Sequence, residues 1–166
     1  MILGFDPGRD KCGVAVMSQN RVLDNTSHIA YAEVVPAEEA IATVLSLIER
    51  YPISTIVMGD QTMSKTWKTR IEERLAEQPQ NPNQLTAQTT APAPILTVMI
   101  DERYSTLEAR DRYWQLHPPQ GLTKLVPQTL RTITRPIDDV VAIILIERYW
   151  RTLESGADEL SVSSVP

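Results

Sequence analysis

Asp6 closes an apolar run, Ile2-Leu3-Gly4-Phe5, and opens Asp6-Pro7-Gly8. Asp138 and Asp139 stand just ahead of a second apolar stretch, Val140 to Ile146. Between these points Asp60 follows Gly59, and the pair Asp101-Glu102 follows the run Ile95 to Ile100. A carboxylate at the end of a buried strand needs a partner, because its charge is costly to remove from water. A divalent cation shared by several carboxylates is one such partner, and it suits phosphodiester hydrolysis. Hard oxygen donors without a His–Cys cluster favour Mg²⁺ or Mn²⁺ over zinc. Aspartate also opens turns and first helical turns, so each residue taken alone has a structural explanation. The set gains meaning from the elements that place it.

Ile2 to Asp6 is expected as a first strand and Gly13 to Met17 as a second, joined by a tight Gly8-Arg9-Asp10-Lys11 turn. Gln19-Asn20 then turns the chain into a third strand, Arg21 to about Val34. Pro36, Glu38 and Glu39 mark a helix start, favoured by proline in the first turn and by acids at the positive end of the dipole. Ile41, Val44, Leu45 and Ile48 give that helix one apolar face, and Pro52 ends it. A fourth strand runs from Ile53 to Gly59, and a helix from about Ser64 to Leu75 follows. Ile95 to Ile100 is a fifth strand. Ser105 with Glu108 has a capping-box pattern for a helix that stops before Pro118-Pro119. The last helix starts near Pro136 and is apolar on nearly every side through Ile146. These elements predict an α/β fold whose mixed five-stranded sheet has an antiparallel meander and two parallel strands, flanked by helices. Asp6, Asp60 and Asp101-Glu102 then fall at carboxyl ends of strands, where open α/β sheets place their ligand sites.

The 166 residues suffice for one domain with a real core, expected over 1–154. Residues 77–94 have almost no large apolar side chains and are expected as a mobile insertion, with 155–166 a flexible tail. No apolar run is long enough to cross a bilayer and no secretory signal is visible. The one cysteine, Cys12, fits a reducing compartment and a small buried side chain. A cytoplasmic location is therefore expected. Net charge is −5, which argues mildly against a nucleic-acid partner. Its distribution qualifies this, because Lys65, Lys68 and Arg70, and then Lys124, Arg131 and Arg135, occupy acid-free stretches. Local basic surfaces can meet a phosphate backbone, and solvated helix faces explain the same charges equally well.

Two segments resemble a known family. Asp101-Glu102-Arg103-Tyr104-Ser105-Thr106-Leu107-Glu108-Ala109 resembles the Asp-Glu-Arg-x-(Ser/Thr)-Thr-x-Glu-Ala signature of the YqgF/RuvX family. Ile137-Asp138-Asp139-Val140-Val141-Ala142 resembles that family's closing helix. The opening Gly4-Phe5-Asp6-Pro7-Gly8, with Gly13-Val14-Ala15-Val16, is similar to its first hairpin and to the RuvC resolvase opening. The resemblance implies a ribonuclease H-like fold and a Mg²⁺- or Mn²⁺-dependent nuclease. Its substrate would be the 5′ end of precursor 16S ribosomal RNA, met free or in ribosomal precursor particles, or else branched DNA such as Holliday junctions. The resemblance assigns catalysis to Asp6, to the Asp101-Glu102 pair and to Asp138, with Asp101 among the metal ligands. Asp139 is either a further metal ligand or an acid of the first helical turn. Asp60 either restores a metal-binding carboxylate found in resolvases of this fold or caps a helix or opens a turn. Glu102 is preferred to Asp101 for its longer reach. Arg103 either pairs Glu102 or contacts a phosphate, and pairing is the expected role. Gly59-Asp60 departs from the family's usual Gly-apolar-Pro. Trp67, Trp114 and Trp150 are expected as core anchors before stacking platforms.

A competing expectation keeps the fold and loses the chemistry, leaving a nucleic-acid or ribosome-assembly binding module. An actin-like ATPase is discounted, since one domain cannot enclose a nucleotide between two, and no Gly-x-x-x-x-Gly-Lys-(Ser/Thr) loop is present. A monomer suits RNA trimming and a homodimer suits symmetric junction cutting.

Overall fold

The structure, a computed structural model, describes residues 1–18, 28–61, 63–77 and 94–162. The expected insertion lies almost wholly outside the described residues, as do the first part of the expected third strand and the last residues of the tail.

Three strands, β1 (Ile2–Asp6), β2 (Lys11–Met17) and β3 (Ile29–Pro36), form the antiparallel meander. After helix α1 (Ala40–Arg50), strand β4 (Thr55–Gly59) pairs parallel to β1. Helix α2 (Ser64–Glu77) leads to β5 (Leu96–Ile100), which pairs parallel to β4. The sheet order is β3-β2-β1-β4-β5, so the mixed five-stranded sheet has the expected antiparallel meander and two parallel strands. Helix α3 (Ser105–Leu116), two short 3₁₀ turns and helix α4 (Asp138–Val162) complete the chain. Among the described residues no helix is long and apolar enough to cross a membrane.

The alternation of β-strand side chains divides the core into two layers. Leu3, Phe5, Cys12, Val14, Val16, Ile56 and Met58 meet α1 and α2 through Val44, Leu47, Trp67 and Ile71. Trp67 packs its ring 5.4 Å from that of Phe5. On the opposite face Ile2, Ala15, Met17 and Val57 meet α4 through Ala142, Ile143, Leu145, Ile146 and Trp150. A third cluster joins Ala109 of α3 to Val140, Val141 and Ile144 of α4. With the sheet on one side and α3 on another, every residue from Val140 to Ile146 is buried, as its apolar run requires. Cys12, Trp67 and Trp150 are core residues as expected, whereas Trp114 is half-buried beneath Arg131, 5.6 Å from the guanidinium.

Small residues set how closely α4 approaches. A Cβ at Gly4 would collide with the Ala142 carbonyl, and one at Gly13 with the Asp138 carbonyl. Gly13 is also the cross-strand partner of Asp6. The helix start is thus seated directly beside the end of β1.

Several element limits differ from the sequence expectation. Strand β2 begins at Lys11, so Lys11 is not a turn residue, and Pro36 ends β3 instead of opening α1. The Ser105–Glu108 capping box does not form. The residue before α3 is Tyr104, left-handed at φ 62° and without a side-chain cap. Glu108 is drawn instead to Arg148 of α4 at 3.0 Å. A tertiary ion pair reinforced by two backbone carbonyls outcompetes a local cap. Helix α4 continues to Val162, past the boundary expected at 154.

Gly13→Ala should lower the stability of the fold by on the order of 2–3 kcal/mol, since backbone and not a flexible side chain occupies the space. Urea denaturation of the two proteins measures this directly.

Candidate active site

Strand parity chooses among the carboxylates. Asp6 points to the same side of β1 as Ile2, the side facing α4. Asp138 is the first residue of α4 and sits over Gly13, opposite Asp6. Glu102 lies two residues beyond Ile100 of β5, which also packs on the α4 side. To approach Asp6 it must cross the intervening strand β4. Gly59 permits this, since a Cβ there would strike the Glu102 carboxylate. Asp6, Glu102 and Asp138 are therefore brought together from two strand ends and one helix start.

Their proximity shows in their protonation. The Asp6 carboxyl is pushed up from 3.8 to about 8, first by burial and then by the charges of Glu102 and Asp138. Burial also raises Glu102, which shares a hydrogen bond with Asp6. The second Glu102 oxygen, Oε2, is buried without a hydrogen-bond partner. Lys11 places its Nζ 3.2 Å from Asp138 Oδ2. One retained proton and one ammonium thus offset part of the repulsion.

The remaining acids are arranged differently. Asp60 is exposed and accepts the backbone N–H of Glu102 at 3.2 Å, tethering that residue. Asp101 faces away, and Arg103 donates to it through both backbone and guanidinium, holding it at about 2. The expected partner of Arg103 was Glu102; adjacent residues after a strand point oppositely, so Arg103 meets Asp101. Asp139 is buried and receives Arg135 at 3.1 Å, four residues back along the chain.

Asp6 and Asp138 form part of a cleft whose walls include Lys11, Arg110, Arg131 and Arg135. Of the basic residues singled out in the sequence, Arg131 and Arg135 reach this cleft. Lys124 is exposed on the segment leading to it. Lys65, Lys68 and Arg70 lie on α2, against the opposite face of the sheet. There Lys68 pairs Glu72 and Arg70 covers Trp67. Lys11, Arg110 and Gly59 were missed in the sequence. The parity that puts Lys11 on the same side of β2 as Gly13 was the available signal.

Among the described residues no three His, Cys, Asp or Glu side chains form a ready-made metal site. The donors nevertheless fit a hard divalent cation. They are all oxygens, one buried acceptor is unsatisfied, and excess negative charge is already held by a proton and a lysine.

Asp6 keeps a proton in the folded state that the unfolded chain releases, so stability of the metal-free protein should fall as pH rises from about 4 to about 8. Asp6→Asn should remove much of this slope and raise stability at pH 8 by on the order of 2 kcal/mol. Denaturation midpoints across that pH range decide the matter. Gly59→Ala should displace the Glu102 carboxylate and bring the Asp6 carboxyl part of the way back toward its ordinary range, read by NMR titration of Asp6.

No curated protein sequence matches the chain significantly. The structure of Thermus thermophilus RuvC in complex with a Holliday junction substrate aligns at 15% identity and TM-score 0.45. The match covers 92% of this chain and 95% of that one. A second Thermus thermophilus RuvC structure aligns at 13% identity and TM-score 0.44, over 91% of this chain and 95% of the other. A family model described as RuvX, Holliday junction resolvase, matches residues 1–152. By that match, across nearly its whole length, the chain belongs to the RuvX family.

Proposed function

We propose that this chain is a divalent-metal-dependent nuclease that hydrolyses phosphodiester bonds in structured nucleic acid. The observation that carries the reading is the meeting of Asp6, Glu102 and Asp138 beside a cleft with basic walls. These three residues would hold Mg²⁺ or Mn²⁺. Asp101 and Asp139 are already engaged with arginines, and Asp60 acts through the backbone of Glu102. When bound, the ion supplies an activated water and stabilises charge on the departing oxygen.

The chain's own groups do the rest. Arg110 and Arg131 offer guanidinium groups to substrate phosphates along the cleft. Arg131 is steadied by the Val126 carbonyl and by the Trp114 ring, so it meets a phosphate with little loss of freedom. The Asp60 carboxylate fixes the backbone at Glu102, and Gly59 keeps the path of its side chain open.

The first substrate reading is the 5′ end of precursor 16S ribosomal RNA, in the cytoplasm, to which the resemblance points. The description of the matching family model favours branched DNA as the second. A binding module without turnover is the remaining alternative, favoured by the lack of a ready-made metal site among the described residues.

Labelled precursor 16S RNA and a four-way DNA junction should be offered side by side with Mn²⁺, Mg²⁺ or EDTA. Cleavage of one substrate should require the metal and fall at least about 100-fold in Asp6→Asn. Cleavage equal in the variant, or none with either substrate, rejects the nuclease. Arg131→Ala should weaken binding of the same substrate and reduce its salt dependence by about one phosphate contact.

A further inference from the structure

Lys11 is the cation bound to one of the three converging carboxylates. Its Nζ lies 3.2 Å from Asp138 Oδ2, with the lysine side chain 47% and the aspartate side chain 26% exposed. The backbone beneath it is fixed. Lys11 pairs with Pro36 across the sheet, and a Cβ at Gly8 would collide with the Lys11 carbonyl, so the hairpin holds its Cα in place. Beyond the Cα the ammonium hangs on a flexible four-carbon stem. A half-exposed ion pair of this kind is weak and readily exchanged.

Other cations of the cleft have other anchors. Arg135 is bound to Asp139, and Arg131 donates to the Val126 carbonyl. Lys11 alone of these three contacts a proposed metal ligand. It also lines the cleft together with Asp6 and Asp138, so a released ammonium would remain beside any phosphate bound there.

We infer that Lys11 is the resident counter-cation of the carboxylate site, displaced when a divalent ion binds, and that its freed ammonium then engages the substrate phosphate. The inference rests on the nuclease reading and adds to it a residue that both tunes metal affinity and touches substrate. In the metal-free protein Lys11 lessens the repulsion among Asp138, Asp6 and Glu102. In the loaded protein the same charge is available to a phosphate oxygen, to which an ammonium donates hydrogen bonds.

The test begins with Mn²⁺ alone, titrated calorimetrically into wild type, Lys11→Met and Lys11→Arg without nucleic acid. Lys11→Met should bind Mn²⁺ about tenfold more tightly, the effect of removing one nearby unit charge from a partly screened site. Lys11→Arg should stay near wild type. With Mn²⁺ saturating, turnover of the cleaved substrate should fall about tenfold in Lys11→Met and be partly restored in Lys11→Arg. Melting temperatures of the three proteins accompany both readouts. A lysine that merely braces the fold would lower the melting temperature of Lys11→Met and leave Mn²⁺ affinity unchanged or weaker, and that result overturns the inference. Tighter Mn²⁺ with unchanged turnover overturns the contact with phosphate. Failure of the wild type to bind Mn²⁺ rejects the nuclease reading itself, a different result from binding that ignores Lys11.

Discussion

The geometry of the site depends on how closely α4 lies against the sheet. Along β1 and β2 the positions beneath it are Gly4, Gly13 and Ala15, and the carbonyls of Asp138 and Ala142 occupy the space that side chains would take. Those two carbonyls are one helical turn apart, so two points of contact fix both the depth and the direction of the helix. Its apolar residues then close against Ile2, Met17 and Val57. The position of Asp138 is thus set by packing along α4, and Asp6 is held by the ladder that pairs it with Gly13. Arg112 with Glu147, and Arg148 with Glu108, attach α3 to the outer side of the same helix. The third acid follows from the same economy of side chains, since Glu102 passes where Gly59 has none.

Such an arrangement works against stability. Carboxylates gathered in a partly dry place repel one another, and the folded protein responds by keeping a proton on Asp6 and a lysine on Asp138. The sheet and α4 tolerate this because their apolar contacts are extensive and independent of the acids. A group of like charges maintained without local benefit is what a binding site for the opposite charge requires. Contrast Asp101 and Asp139, whose charges are fully answered by Arg103 and Arg135. In these pairs the negative charge is already spent within the chain.

How far the sequence disclosed this varied with the kind of information needed. The strands, their parallel and antiparallel order and the buried α4 were legible because long apolar runs and turn residues determine them locally. The sequence preferred Glu102 to Asp101 for its length; the structure adds a separate reason for Glu102 to approach Asp6, the parity that ties it to Ile100. The capping box failed because Arg148, forty residues on, competes for Glu108. No local pattern contains that partner. Lys11 was hidden by its assignment to a turn; once β2 is extended to include it, alternation alone places it beside Gly13 and the acids. The basic residues of α2 stayed undecided between a phosphate surface and a solvated helix face, since an acid-free stretch says nothing about which face of the sheet its helix will cover.

The distribution of charge gives the cleft a selective character. Its floor is acidic, while the chain from His117 to Ile137 that forms part of its wall contains Lys124, Arg131 and Arg135 and no acid. Basic walls attract a phosphate backbone, but the carboxylates would oppose a phosphate brought close to them. A small cation experiences the reverse, drawn to the floor and repelled by the walls. The two kinds of ligand therefore favour each other, because each removes the charge that opposes the other. The overall charge of −5 does not count against a polyanionic partner under these conditions. Attraction at the cleft acts over a few side-chain lengths, a range on which local charge and not the total governs. A cleft with uniformly basic surfaces would attract a polyanion more strongly, yet it would offer a small cation no place to settle among its walls.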